Sequence, residues 1–198
     1  MHPHSGVRVL SVPLSTLIRN AAGGHPGAVG ELYGALYREL HAIAQRQLRG
    51  SDRALTLGTT TLLHEAYLNM CDREGDQFPD RAHFLAYASR AMRGLVIDHV
   101  RRRQATKRGG EFHITNADMD LPAVAADPQT DALEALSDAL DRLASTDCAL
   151  AELVDLHFFA GFSFVEIAQL RNVSDRTVQR DWRKARLLLH HTLQHLET

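Results

Sequence analysis

Between Ser163 and Leu189 the chain carries side chains suited to reading the edges of DNA bases. Ser163 and Glu166 stand at capping-box spacing, so a short helix is expected to start at Ser163. Arg171-Asn172-Val173 interrupts it, and Ser174 suits the N-cap of a longer helix. In that second helix the spacing turns Val178, Trp182, Ala185 and Leu189 inward and leaves Arg176, Gln179, Arg180 and Arg183 outward, with Thr177 grouped with them as a candidate DNA contact. Arginine and glutamine can each make two hydrogen bonds to one base edge, and a helix amino terminus attracts phosphate. A short helix, a tight turn and a longer helix with a basic, amide-bearing face describe a helix-turn-helix whose second helix enters the major groove. The plainer reading of the same residues is a helical hairpin whose arginines form a solvated face. Asp181, on the same helix, is expected to pair with Lys184 three residues on rather than to accept from a cytosine amino group.

Other chemistries lack their residues. Twelve histidines invite a metal reading, but Leu68 stands where His64-Glu65 would need a second histidine. His191 and His195 are four apart with no acidic or thiol partner near them in sequence, and a polar terminal helix is their plainer reading. Cys71 and Cys148 have no neighbouring cysteine, which argues against a disulfide framework and for a reducing cytosol. There is no glycine-rich phosphate loop and no nucleophile elbow. The expectation is therefore a protein that is not an enzyme, with no catalytic residue, metal or cofactor.

The elements that must position the basic helix follow from composition and periodicity. The 198 residues are 44% apolar and 23% charged, enough for a real core and for one or two small domains. No apolar run has the length of a signal peptide or of a membrane span, so a cytoplasmic protein with no membrane contact is expected. The net charge of −2 is unevenly spread: residues 1–110 carry a balance of +6, residues 111–135 one of −6, and the remainder −2. A basic first domain, an acidic connector and a second domain fit this asymmetry. Leu32, Leu36, Leu40, Ile43 and Leu48 predict one amphipathic helix from Val29 to Leu48. A second is expected over about Thr60 to Cys71, and a third from about Arg81 to Arg103, capped by Asp80 and carrying Phe84, Ala88, Met92, Leu95 and His99 on one stripe. From Gln104 to Pro128 the pattern fails. Helical spacing resumes at Leu133, Leu136, Leu140 and Leu143, and Leu150, Leu153, Val154 and Phe158 mark another helix before Gly161. No segment alternates convincingly as a strand, so an all-α fold is expected: two small helical domains joined by a flexible acidic linker, the second a helix-turn-helix.

Two blocks together resemble a known family. The run from Phe84 to Arg103, FLAYASRAMRGLVIDHVRRR, resembles the promoter-melting helix of extracytoplasmic-function sigma factors of bacterial RNA polymerase, and Gly161 to Arg186 resembles their carboxyl-terminal helix-turn-helix. The resemblance covers roughly residues 12 to 195. It implies a domain over 12–106 that binds core polymerase and captures unpaired bases of the minus-ten element, a linker over 107–128, and a domain over 129–195 that reads the minus-thirty-five element. The implied partners are promoter DNA and core RNA polymerase, through the clamp coiled coil of the largest subunit and the flap. Single-strand capture needs cationic grooves with stacking surfaces, and Tyr87, Arg90, Arg93, Arg101, Arg102 and Arg103, with Phe84, supply those residue types. Core packing for the aromatic pair and a solvated helix end for Arg101 to Arg103 are the plainer readings.

One departure from the family stands out. Where relatives usually carry a short acidic cluster that helps grip the core enzyme, this chain has Gly58-Thr59-Thr60-Thr61, and Glu65 alone keeps the charge. The threonines either serve as helix caps or are phosphorylated, each phosphate adding about −1.5 to −2 charges that restore the acidity. Control by a Ser/Thr kinase or by an anti-sigma factor both remain open on sequence. The rival to the whole reading is a helix-turn-helix regulator that binds operator DNA without polymerase.

Overall fold

The computed structural model describes residues 12–49, 57–71, 78–109 and 128–194, and among them there is no strand. The all-α expectation holds. The helices are α1 (Leu14–Ala22), α2 (Ala28–Ala35), α3 (Tyr37–Arg49), α4 (Thr59–Cys71) and α5 (Arg81–Gly109) in the first half, then α6 (Pro128–Thr146), α7 (Cys148–Val154), α8 (Phe164–Arg171) and α9 (Asp175–Gln194) in the second. A π turn over Asp155–Phe159 continues α7.

The expected stripes form the first core, except at the end of the α5 stripe, where Leu95 and His99 are half-buried and Val96 and Ile97 are the buried residues. Leu32, Leu40, Leu62, Ala66, Phe84, Ala88 and Met92 are fully excluded from solvent. Phe78 stacks edge-on against both Phe84 and Tyr87, and the buried Tyr33 hydroxyl donates to the Leu63 carbonyl, tying α2 to α4. Asp80 caps α5 as expected, its Oδ1 accepting from the His83 amide at 2.9 Å. A second, smaller core gathers Leu140, Leu143, Leu150, Val154, Phe159, Ala185 and Leu189 from α6, α7, the π turn and α9.

The first core does not end with the first half of the chain. Leu153, Leu156, Ile167, Ala168 and Val178 belong to it, and the π turn lies against α5 and α3. Leu153 and Leu156 are wholly buried. Burial of a leucine contributes about 1.5–3 kcal/mol relative to exposure, so the two halves share a substantial apolar seam.

Several expectations need correction. The single helix from Val29 to Leu48 is two, broken at Leu36, whose backbone turns to φ −100 and ψ 12. Gly30 and Gly34 lower the helical preference just before the break, and the kink leaves Leu36 itself buried. Helix α1 was not expected, although Leu14, Leu17, Ile18 and Ala21 follow the helical spacing that puts Leu17 and Ala21 inward. The third helix runs on past Arg103 to Gly109; Arg, Gln, Ala and Lys are strong helix formers and cations suit a helix carboxyl terminus. Residues 110–127, most of the expected linker, lie outside the described residues. Finally, Phe158 does not face inward. In the π turn the Ala160 amide reaches back five residues to the Asp155 carbonyl at 2.8 Å, and the extra residue rotates the register so that Phe159 is buried while Phe158 is 56% exposed.

This register makes a direct prediction. Phe159→Ala should cost about 3–5 kcal/mol of unfolding free energy in urea titration, as for a large core truncation. Phe158→Ala should stay within about 0.5 kcal/mol of the parent. The reverse order would put the helix back in ordinary register.

Candidate nucleic-acid interface

The second half presents its basic helix through three local devices. Ser163 Oγ accepts from the Glu166 amide while the Glu166 carboxylate accepts from the Ser163 amide, a complete capping box that starts α8. Asn172, in the left-handed region at φ 53, ends α8, a conformation asparagine tolerates better than most residues. Ser174 Oγ then accepts from the Thr177 amide at 3.1 Å and pairs with the Thr177 hydroxyl at 2.8 Å, which starts α9. Val178, Ala185 and Leu189 are buried and Trp182 half-buried, stacked with Phe164 and His157.

On the opposite face Arg176, Arg180 and Arg183 are exposed and Gln179 is half-exposed. Gln179 Nε2 donates to Asp175 Oδ2, one turn back. The expected Asp181–Lys184 pair does not form. Asp181 instead accepts from its neighbour Arg180 at 2.9 Å, and Lys184 reaches Asp147, the N-cap of α7, at 3.1 Å. Lys184 satisfies a carboxylate on another helix, which three-residue spacing could not reveal.

The cationic residues singled out on α5 have a different setting. Arg90 meets Asp141 of α6 at 3.0 Å, and Arg101 meets Glu134 of the same helix at 3.0 Å. Arg93 is 3% exposed. Its Nη1 faces Asp155 Oδ1 at 3.3 Å, its Nη2 lies 3.8 Å from Asp141, and its guanidinium sits 4.9 Å above the Phe159 ring. Tyr87 is half-buried against Phe78, Arg102 is exposed, and the Arg103 side chain lies outside the described residues. The sequence-expected cations on α5 and α9 thus occupy separate surfaces, and part of the α5 set is covered by the second half.

Sequence reasoning did not find Ser89, Gln47 or Asp155. Ser89, fully buried, accepts from Gln47 Nε2 of α3 at 2.9 Å through its carbonyl, and its hydroxyl donates to the Asp155 carbonyl at 3.2 Å. A polar residue at position 89 beside Ala88 on an apolar stripe was the signal available. Desolvation dominates the charged pair: it pushes the Asp155 carboxyl up to about 6, against Arg93 and Arg90, and it lowers the Arg93 guanidinium from its ordinary value, against Asp155 and Asp141.

At the threonine run, α4 opens directly on Thr59. The Leu62 amide reaches the Gly58 carbonyl at 3.0 Å, so Thr59, Thr60 and Thr61 form the first helical turn. Thr60 and Thr61 are exposed, and Thr59 and Glu65 are half-exposed. Among the described residues no cluster of His, Cys, Asp and Glu could hold a metal ion, and no helix is long and apolar enough to cross a membrane.

A family model described as ECF sigma factor matches residues 12–195. No curated protein matches the chain significantly.

The buried carboxyl sets a pH dependence with a definite sign. The folded Asp155 titrates near 6, above the ordinary 3.8, so the folded state holds this proton more tightly than the unfolded chain. Its contribution to stability is present below about pH 4 and is lost as pH rises through about 6. Asp155→Asn should therefore gain stability relative to the parent as pH rises from about 4 to 6, with no further relative change above that. Denaturant titrations of both proteins across this range check it; a difference independent of pH would mean that the carboxyl is not desolvated.

Proposed function

The chain belongs to the extracytoplasmic-function sigma-factor family, a family of transcription-initiation factors that bind core RNA polymerase and promoter DNA, and we propose from this premise how its parts share that task. Residues 12–106 bind the clamp coiled coil of the largest subunit and capture the melted minus-ten element through Tyr87, Arg90, Arg93, Arg101, Arg102 and Arg103. Residues 129–195 form a helix-turn-helix in which α9 reads the minus-thirty-five element with Arg176, Thr177, Gln179, Arg180 and Arg183, and this domain meets the flap. The observation that carries the reading is the extent of the family match, which spans both halves. An operator-binding regulator would need a sensing or dimerisation domain where this chain matches the family.

The threonine turn supplies the regulation. A sigma factor that lacks the usual acidic cluster holds basic groups on the core weakly, because hydroxyls stand in for carboxylates. Thr60 and Thr61 are accessible at the first turn of a 13-residue helix, where the backbone amides and the helix dipole favour added negative charge. A phosphate there offers charge-assisted hydrogen bonds to arginines, each worth about 1.5–3 kcal/mol before desolvation. We therefore read Thr59, Thr60 and Thr61, with Glu65, as a core-binding element switched on by a Ser/Thr kinase, without the need for release from an anti-sigma factor.

The experiment is transcription in vitro with core polymerase and three forms of the protein: unmodified, phosphorylated by a threonine kinase, and a Thr59→Ala/Thr60→Ala/Thr61→Ala variant treated with the same kinase. The phosphorylated form alone should bind core and direct transcription. Equal, tight core binding by all three would return the threonines to a purely helical role, and no core-dependent transcription by any form would contradict the promoter-directing assignment itself.

A further inference from the structure

We propose that the free protein holds itself closed, with the carboxyl-terminal half docked on the arginine face of α5 that the promoter strand would use. The second clause rests on the minus-ten reading of α5; the closure itself does not.

Three kinds of contact join the second half to the first. The first is a row of ion pairs between α5 and the second half: Arg90 with Asp141, Arg93 with Asp141 and Asp155, and Arg101 with Glu134. Along α5 the partners on α6 run in the opposite direction, from Asp141 back to Glu134, so one helix lies against the other over about three turns of α5. Carboxylates occupy the arginines that would otherwise be offered to phosphates. The second is the apolar seam, in which Leu153 and Leu156 complete the core of the first half. The third is the Arg46 side chain of α3 against Gly161. Gly161 has φ +83, a conformation that favours glycine, and the Arg46 side chain is laid across it, its guanidinium carbon 2.5 Å from where a Cβ would stand.

These contacts differ in kind. The pairs at Arg90 and Arg101 are half-exposed, so they are weakened by salt and hold little individually. Arg93 and Asp155 are both 3% exposed. Their Nη1 and Oδ1 face each other with no protein hydrogen bond completing either atom. A buried pair of this kind adds little net stability, but the loss of one partner strands a charge, so it selects one docking register. The device is strong enough to specify the closed arrangement and weak enough to be displaced when core polymerase and DNA compete for α5.

The test reads the distance between the halves in the full chain, without DNA or polymerase. Spin labels at Gln45→Cys and Leu187→Cys, both exposed positions on α3 and α9, are placed in a background lacking Cys71 and Cys148. The parent should give one narrow distance distribution. Asp155→Arg, which sets a cation against Arg93, should broaden and lengthen it. Should that variant lose its helical circular dichroism, Glu134→Gln/Asp141→Asn at the half-exposed rim carries the test, with a larger long-distance population than the parent at low salt and a smaller further rise on adding salt. An unchanged narrow distribution in the folded variants overturns the closure. The opened protein should also bind a fluorescent single-stranded oligonucleotide more tightly, by about tenfold if about a tenth of the parent is open. Opening without tighter binding overturns the occlusion, and core-dependent transcription by the same variants separates that result from a failure of the promoter-directing reading.

Discussion

The ion pair between Arg93 and Asp155 is the constraint on which the described arrangement turns. A guanidinium and a carboxylate, each almost wholly removed from water, lie between α5 and a π turn more than sixty residues away in sequence. Neither group tolerates burial alone, so everything near them has to deliver the other. The π turn does so on one side, bringing Asp155 toward Arg93 and Phe159 beneath it. Ser89 and Gln47 do so on the other, spending buried hydrogen-bonding groups to hold the Asp155 backbone against α5 and α3.

That arrangement makes α5 a shared surface. The same helix supplies the first core with Phe84, Ala88 and Met92 and offers its arginines to acids of the second half. A protein whose family acts by binding promoter DNA and core polymerase thus carries, in its own second half, carboxylates matched to its cations. The uneven charge along the chain has a structural meaning here: the basic first half and the acids at Glu134, Asp141 and Asp155 are complementary across the fold.

What could be read from sequence was local. The boundaries of α4, the Asp80 cap, the capping box at Ser163 and the Ser174 start of α9 all depend on residues three or four apart, and each is present. The buried stripe of α5 was legible for the same reason. The break at Leu36 was hidden because apolar spacing continues across it, and α1 because nine residues give a short signal. Phe158 was misplaced because an ordinary helical register was carried through a π turn whose added residue leaves no mark in composition. The pairing of α5 with α6 and the π turn, and of Lys184 with Asp147, joins residues 33 to 66 positions apart, and periodicity carries no information at that range. The candidate DNA residues were therefore legible by type, and their occupation by acids was not.

Hydrogen exchange of the protein alone and bound to core polymerase measures the central claim most directly. In the free protein, amides of the π turn and of the neighbouring stretch of α5 from Ser89 to Ile97 should be protected as one cooperative unit. On binding core, in whichever phosphorylation state supports it, the π turn should lose protection while the core-facing helices keep theirs. Protection of the π turn that is identical in both states would contradict an account in which the second half must leave α5 for the protein to work.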